Sequence, residues 1–123
     1  MHRKEQDYTL QLRENMKGGQ GTVKFEHIWK KNSNEEMWST CRMFSRITLH
    51  PGDSVGIHSH SGEEEIFYIL SGRAKAWDNG EWIELAPGDC TICRDGEEHS
   101  MECLGDEPCT YLAVIPVYPE AAK

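Results

Sequence analysis

Apolar and polar residues alternate in short runs along most of this chain. Val23, Phe25, His27 and Trp29 fall on one face of a strand predicted over 23–29. A long β-like run covers 39–49, Pro51-Gly52-Asp53 interrupts it, and a further strand covers 54–60. Glu65 to Leu70 is apolar, aromatic and β-branched, as a buried strand should be. Ser71-Gly72, Asp78-Asn79-Gly80 and Ala86-Pro87-Gly88-Asp89 then separate strands predicted over 73–77, 81–85 and 90–94. Asn-Gly between two strands predicts a hairpin, because both central positions of its turn need positive φ. Strands over 99–104 and 110–117 complete the series. The alternation is weaker elsewhere. Residues 1–22 read as an N-terminal arm with one or two helical turns over 8–16, residues 30–36 as a polar loop, and residues 119–123 as a tail.

Short strands separated by Gly and Pro turns describe an all-β sandwich or barrel. A chain of 123 residues has room for one core. The expectation is a single barrel over 23–118, with the arm and the tail dispensable to it. Gly52, Gly72, Gly80, Gly88 and Gly96 stand where strands reverse, which explains them by backbone conformation alone.

Composition narrows the function classes. The formal net charge is -8, which opposes binding to nucleic acid or to an anionic membrane surface. A small anion stays admissible, since a bound metal can reverse the local sign. No stretch approaches the roughly 20 apolar residues of a membrane span. The N-terminal segment has charges but no apolar signal core, so the expected location is cytoplasmic. Five cysteines, an odd number, argue against a disulfide framework. Cys90 and Cys93 form a lone C-x-x-C whose members point to opposite faces of a strand. Buried, reduced core thiols are the expectation.

The candidate chemistry lies in the histidines. His58 and His60 are two apart on a strand, so both leave the same face and can bite one metal ion. Glu65 opens the next strand and can add a carboxylate oxygen. Antiparallel pairing beyond the hairpin could return His99 to the same pocket. Three imidazoles and one carboxylate suit Zn, Fe, Ni, Mn or Co.

These residues carry a resemblance to the cupins, small jelly-roll barrels. Residues 52–72, GDSVGIHSHSGEEEIFYILSG, match the first cupin motif, G-x5-H-x-H-x3,4-E-x6-G, at Gly52, His58, His60, Glu65 and Gly72. The spacing to Gly72 selects Glu65 over Glu63 and Glu64. Residues 88–103, GDCTICRDGEEHSMEC, match the second motif, G-x5-P-x-G-x2-H-x3-N, at Gly88, Gly96 and His99. They depart from it at Arg94 and Cys103, where the family usually has Pro and Asn. The departures lie outside the ligand set but touch local turn geometry and the surroundings of His99. The resemblance implies a jelly-roll barrel holding one divalent transition metal at His58, His60, Glu65 and His99. It is closest to small single-domain cupins, some oxalate-decarboxylase-like or sugar-handling. The fold carries many chemistries, so the reaction is not implied.

Further residues divide between ligand contact and packing. Ser54, Gly56, His58 and His60 should share one face, with the small residues leaving space for a ligand. Glu65, Phe67 and Ile69 should face the interior. Ile66, Tyr68 and Leu70 face outward yet are apolar, so another subunit should cover them, giving a homodimer. Arg46 would bind a substrate carboxylate if its face is interior and is a surface charge otherwise; Arg42 and Arg94 share that ambiguity. His50, Tyr111 and Glu64 are titratable neighbours, with Tyr111 expected as a core aromatic whose hydroxyl is bonded. Trp38, Trp77 and Trp82 are expected to pack. The resulting reading is a small metalloenzyme, a lyase or decarboxylase, isomerase or dioxygenase, acting on a small carboxylate or sugar-like substrate. The alternative is a non-catalytic module binding a small molecule.

Overall fold

The alternation becomes two antiparallel sheets in the computed structural model, which describes residues 1–29 and 36–122. The strands are β1 (Thr9–Glu14), β2 (Thr22–Trp29), β3 (Cys41–Leu49), β4 (Ser54–Ser59), β5 (Glu65–Ser71), β6 (Arg73–Asp78), β7 (Glu81–Leu85), β8 (Cys90–Cys93), β9 (Glu98–Leu104) and β10 (Cys109–Pro116). One sheet has the order β1-β2-β3-β10-β5-β8 and the other β4-β9-β6-β7. This is the jelly-roll arrangement. The inner face of the larger sheet buries Val23, Phe25, Ile47, Leu49, Phe67, Ile69 and Tyr111 against Val55, Ala74, Ala76 and Met101 of the smaller. Each large aliphatic side chain so buried contributes about 1.5–3 kcal/mol.

The hairpin forms as its turn chemistry requires: Asn79 and Gly80 have φ of 42° and 116°, and Asp78 stands opposite Glu81. The inward parity of β5 also holds, with Glu65, Phe67 and Ile69 buried and Tyr68 and Leu70 exposed. On β3 the interior parity is Met43, Ser45, Ile47 and Leu49. Arg46 therefore faces out, where its guanidinium donates to Glu26 at 3.0 and 3.1 Å and to Glu5 at 3.1 Å. It is not a ligand-binding arginine of the interior.

The N-terminal residues differ from expectation. In place of helical turns over 8–16, β1 pairs with β2 from Thr9↔His27 to Glu14↔Thr22. Leu10 and Leu12 lie on its exposed side, while Gln11 and Arg13 line the barrel's interior cavity. Gln11 reaches a buried polar chain, with His27 Nε2 at 2.7 Å from its side-chain oxygen and His27 Nδ1 at 2.6 Å from Ser45 Oγ.

Other expectations need correction. Of the cysteines, only Cys93 and Cys109 are buried, while Cys90 is exposed; all five are free thiols. Trp38 is 91% exposed and packs on nothing that buries it, whereas Trp77 and Trp82 meet edge to face at 5.4 Å. A short helix, Pro119–Ala122, covers most of the expected tail. The loop expected over 30–36 lies outside the described residues except for Glu36, which accepts a hydrogen bond from Arg3. No helix among the described residues is long and apolar enough to cross a membrane.

Candidate metal centre

The four candidate ligands come from both sheets. In the smaller sheet β4 pairs with β9 so that His58 stands opposite His99. His60 follows one residue after β4 ends, and Glu65 opens β5 in the larger sheet. A β-bulge shapes the approach. Val55 pairs with Met101 and His58 with His99, so β4 spends one residue more than β9 between these pairs. The extra residue resets the alternation. Val55, and not Ser54 and Gly56 as expected, thus shares the inner side with His58, and both line the cavity, while Ser54 and Gly56 lie against the turn over 17–20.

The donor atoms converge. His99 Nε2 is 3.1 Å from His58 Nε2 and 3.1 Å from His60 Nε2. Glu65 Oε1 is 3.1 Å from both His60 Nε2 and His99 Nε2. One donor atom from each of the four residues lies within 4.8 Å of the others. An ion about 2.1 Å from two nitrogens sets them about 3.0 Å apart at a right angle and about 3.4 Å apart at the tetrahedral angle. The four separations of 3.1 Å fall between these values, as donors around one first-row ion would.

Tautomers support the same fit. His58 Nδ1–H donates to the Gly56 carbonyl at 2.8 Å, and His60 Nδ1–H donates to Glu63 at 2.6 Å. In the neutral imidazoles the Nε2 lone pairs of both therefore face the common centre. Lone pairs 3.1 Å apart repel unless a proton or a cation lies between them. His99 is held differently. Its ring stacks on Phe67 at 4.9 Å and 7°, and its buried Nδ1 has no partner among the described residues.

Charge is arranged to suit. Without an ion, His60 protonated on both ring nitrogens donates to Glu65 as well as to Glu63; burial alone would raise the Glu65 carboxyl, but the hydrogen bonds from His60 and His99 outweigh it and hold the pKa at about 2. Burial lowers His58 below the ordinary histidine value, favouring the neutral ring a metal requires. The hydrogen bond to Glu65 raises His60. Glu63 takes two hydrogen bonds from Arg42, at 2.7 and 2.9 Å, besides the one from His60. A carboxylate behind a ligating imidazole fixes its orientation and basicity. In the sequence Glu63 is one of three consecutive glutamates and reads as solvated charge. Its distance of three residues from His60 across Ser61-Gly62 is the one signal that could have singled it out.

The remaining nominated residues fall apart from the centre. His50 is an exposed neighbour of Asp53, and Glu64 accepts a hydrogen bond from the Tyr118 hydroxyl at 2.9 Å. Arg94, at the usual Pro position, clamps Glu97 within its own turn at 2.9 and 3.0 Å. Cys103, at the usual Asn position, donates to the Glu107 carbonyl at 3.0 Å rather than serving His99. Arg42 does line the cavity. Tyr111 lines it too, and its hydroxyl has no partner among the described residues, contrary to expectation.

The cavity has a volume of about 250 Å³. His58, His60 and Glu65 form part of its wall, which also includes three cationic residues, Arg13, Lys17 and Arg42, and the acidic Glu63. Lys17 sits in a left-handed turn, φ 55°, flanked by Asn15 at 49° and Gly18 at 80°. That turn lies backbone to backbone on β4: a Cβ at Gly56 would come within 2.0 Å of the Lys17 carbonyl oxygen.

Fold and donor set together define a small jelly-roll barrel with a metal-type cluster on the wall of an internal cavity. The Cupin domain profile matches residues 45–115, and the chain belongs to the cupin family. It is 44% identical over 101 residues to an oxalate-binding protein of Thermotoga maritima, covering 82% of this chain and 81% of that one. The crystal structure of a predicted oxalate decarboxylase from Thermotoga maritima superposes with a TM-score of 0.86 at 39% identity, over 95% of this chain and 99% of that one. The polyketide cyclase RemF of Streptomyces resistomycificus shares the fold, with a TM-score of 0.74 at 18% identity over 94% of this chain and 78% of that one.

Proposed function

We propose that His58, His60, Glu65 and His99 hold one divalent transition metal ion, and that the ion and the cavity beside it bind a small carboxylate. The observation that carries this reading is the convergence of three imidazole nitrogens and one carboxylate oxygen beside a cavity that Arg13, Lys17 and Arg42 line, in a chain of net charge -8. Mn, Fe, Zn, Ni and Co all accept such a donor set. The bound ion would act as a Lewis acid toward a ligand oxygen. Arg13 and Lys17 at the mouth would attract the anion, and Arg42 with Glu63 would keep His60 oriented. A cavity of about 250 Å³ lies below the roughly 300–1,000 Å³ of pockets for drug-sized ligands, so it suits a molecule of a few heavy atoms.

The relative named as oxalate-binding makes oxalate the first probe. Calorimetric titration of manganese-loaded protein should show saturable binding near one oxalate per chain, weakened at least about tenfold by metal removal. Loaded protein that takes up no oxalate would defeat the reading. The relative described as a predicted decarboxylase favours a second, catalytic reading. Against it, both carboxylates lining the cavity are already engaged, Glu63 by Arg42 and His60 and Glu65 by His60 and His99. Release of formate during the same incubation would decide for catalysis.

Assembly belongs to the same proposal. Tyr68, Leu70 and Ile92 are 45%, 41% and 44% exposed on the outer face of β5 and β8. Register places Leu112 beside Tyr68 and Ile66 beside Ile92, so the patch is continuous. An apolar outer face of this kind needs cover, and a second copy supplies it. Light scattering should find a dimer that Tyr68→Glu converts to monomer; a monomeric wild type would sink the idea. Five free thiols favour a reducing compartment, and the proposed location is the cytoplasm. The acidic surface argues against a nucleic-acid partner.

A further inference from the structure

We propose that the Tyr111 hydroxyl is the hydrogen-bond donor that positions an anionic ligand in the cavity; the inference rests on the carboxylate-binding reading above. Tyr111 lies on the inner face of β10, between Ile47 of β3 and Ile69 of β5. Its residue exposure is 0%, and it is the largest fully buried side chain of the described residues. Its hydroxyl has no partner among the described residues. The buried His99 Nδ1 and Trp77 Nε1 also lack partners among the described residues, but each belongs to a ring that packing or the proposed metal centre requires, and the polar side chains nearest Tyr111 in the sheet are satisfied. Ser45 is bonded to His27, His27 also to Gln11, and Ser100 accepts from the Trp77 backbone. A buried hydroxyl without an acceptor weakens the fold, and phenylalanine would fill the same space without that cost. The group is therefore unexplained by packing.

Its location supplies the explanation. Tyr111 lines the cavity that His58, His60 and Glu65 also line. Its ring meets Phe67 edge to face at 4.9 Å, and Phe67 stacks on His99 at 4.9 Å. Two ring contacts thus fix the phenol relative to the proposed metal centre. Burial, with the Glu65 charge adding to it, pushes the phenol pKa well above its ordinary value, so the oxygen carries its proton at neutral pH. A protonated phenol buried in the cavity wall wants an acceptor, and a carboxylate oxygen is a strong one. The same hydroxyl would discriminate against a ligand with no acceptor at that point, since it would stay unpaired.

Tyr111→Phe removes the hydroxyl alone. Three quantities are compared with wild type: metal content, thermal midpoint of the ligand-free protein, and oxalate affinity of the manganese-loaded protein. Metal content should be unchanged and the ligand-free midpoint unchanged or higher. The oxalate dissociation constant should rise about 10- to 100-fold, the range for losing a hydrogen bond to a charged group. Equal oxalate affinity in the two proteins would overturn the assignment while leaving the carboxylate reading intact. A ligand-free midpoint lowered by about 5 °C or more, or failure to fold, would also overturn it, because the hydroxyl would then be serving the fold. If wild type itself takes up metal but no oxalate, the carboxylate reading fails, and the donor role falls with it.

Discussion

Metal bound per chain is expected to fall below about a tenth of the wild-type level in Glu65→Gln, with the barrel still folded. The substitution keeps the shape of the side chain and removes its charge from a position only 5% exposed. Three neutral imidazoles then face the ion without an anion to balance it. Elemental analysis of protein prepared without a histidine tag reads the result. Retention of a full equivalent would mean that Glu65 is no ligand. The same variant carries a pH signature in metal-free protein. The Glu65 pKa is about 2 when folded, against an ordinary value of 4.5. A depressed carboxyl stabilises the fold above its unfolded pKa, and this contribution is lost as pH falls from about 4.5 toward 2. A difference of that size corresponds to about 3 kcal/mol. His60, raised by Glu65, has the opposite sign: its contribution is full below 6.5 and is lost as pH rises through its folded value. Urea unfolding at pH 5 and pH 3 should therefore show a steep loss for wild type and a shallower one for Glu65→Gln.

Three of those four side chains were legible from short-range spacing, and the fourth, His99, 39 positions beyond His60, from the second motif of the family resemblance. His58 and His60 are two apart, Glu65 opens the next strand, and the motif glycines place the turns between them. What escaped depends on parity and on tertiary approach. Arg46 and its neighbours alternate equally well in either sense, and the direction was settled by Ile47 and Leu49 packing into the core. In β1 the leucines face out and Gln11 and Arg13 face in, so a hydrophobic-inward rule reads the segment backwards. The bulge before His58 inserts one residue that no hydropathy pattern marks. Glu63 owes its role to Arg42, which stands 21 positions away on β3 and meets it only once the barrel closes. The unbonded Tyr111 hydroxyl is likewise a property of the closed interior, since the residue reads as ordinary core.

Gly56→Ala is expected to destabilise the protein by about 2–3 kcal/mol, near 10 °C in melting temperature, because the barrel has no room to yield there. The added methyl would meet backbone: the Lys17 carbonyl oxygen at 2.0 Å, its carbon at 2.8 Å and the Gly19 nitrogen at 3.1 Å. No side-chain rotation relieves such a clash, so the turn over 15–19 must lift from β4. The two segments are also tied by Ser54 N donating to Gln20 O at 2.8 Å and Gln20 N donating to Ser54 Oγ at 2.9 Å. Lifting the turn carries Met16 and Lys17 away from the cavity they line. The centre should feel it as well, since the Gly56 carbonyl accepts the His58 Nδ1 proton. A shift of that carbonyl frees the ring, and metal affinity should drop about 10- to 100-fold. Gly52→Ala is the informative control. Gly52 has φ 93° but nothing within 4 Å of an added Cβ, so it registers backbone strain of about 1–2 kcal/mol without crowding and without touching the centre. If Gly56→Ala melts no lower than wild type and keeps its metal affinity, the N-terminal turn does not rest on β4 in solution. The cations at the cavity mouth would then have to be sought elsewhere than on Arg13 and Lys17.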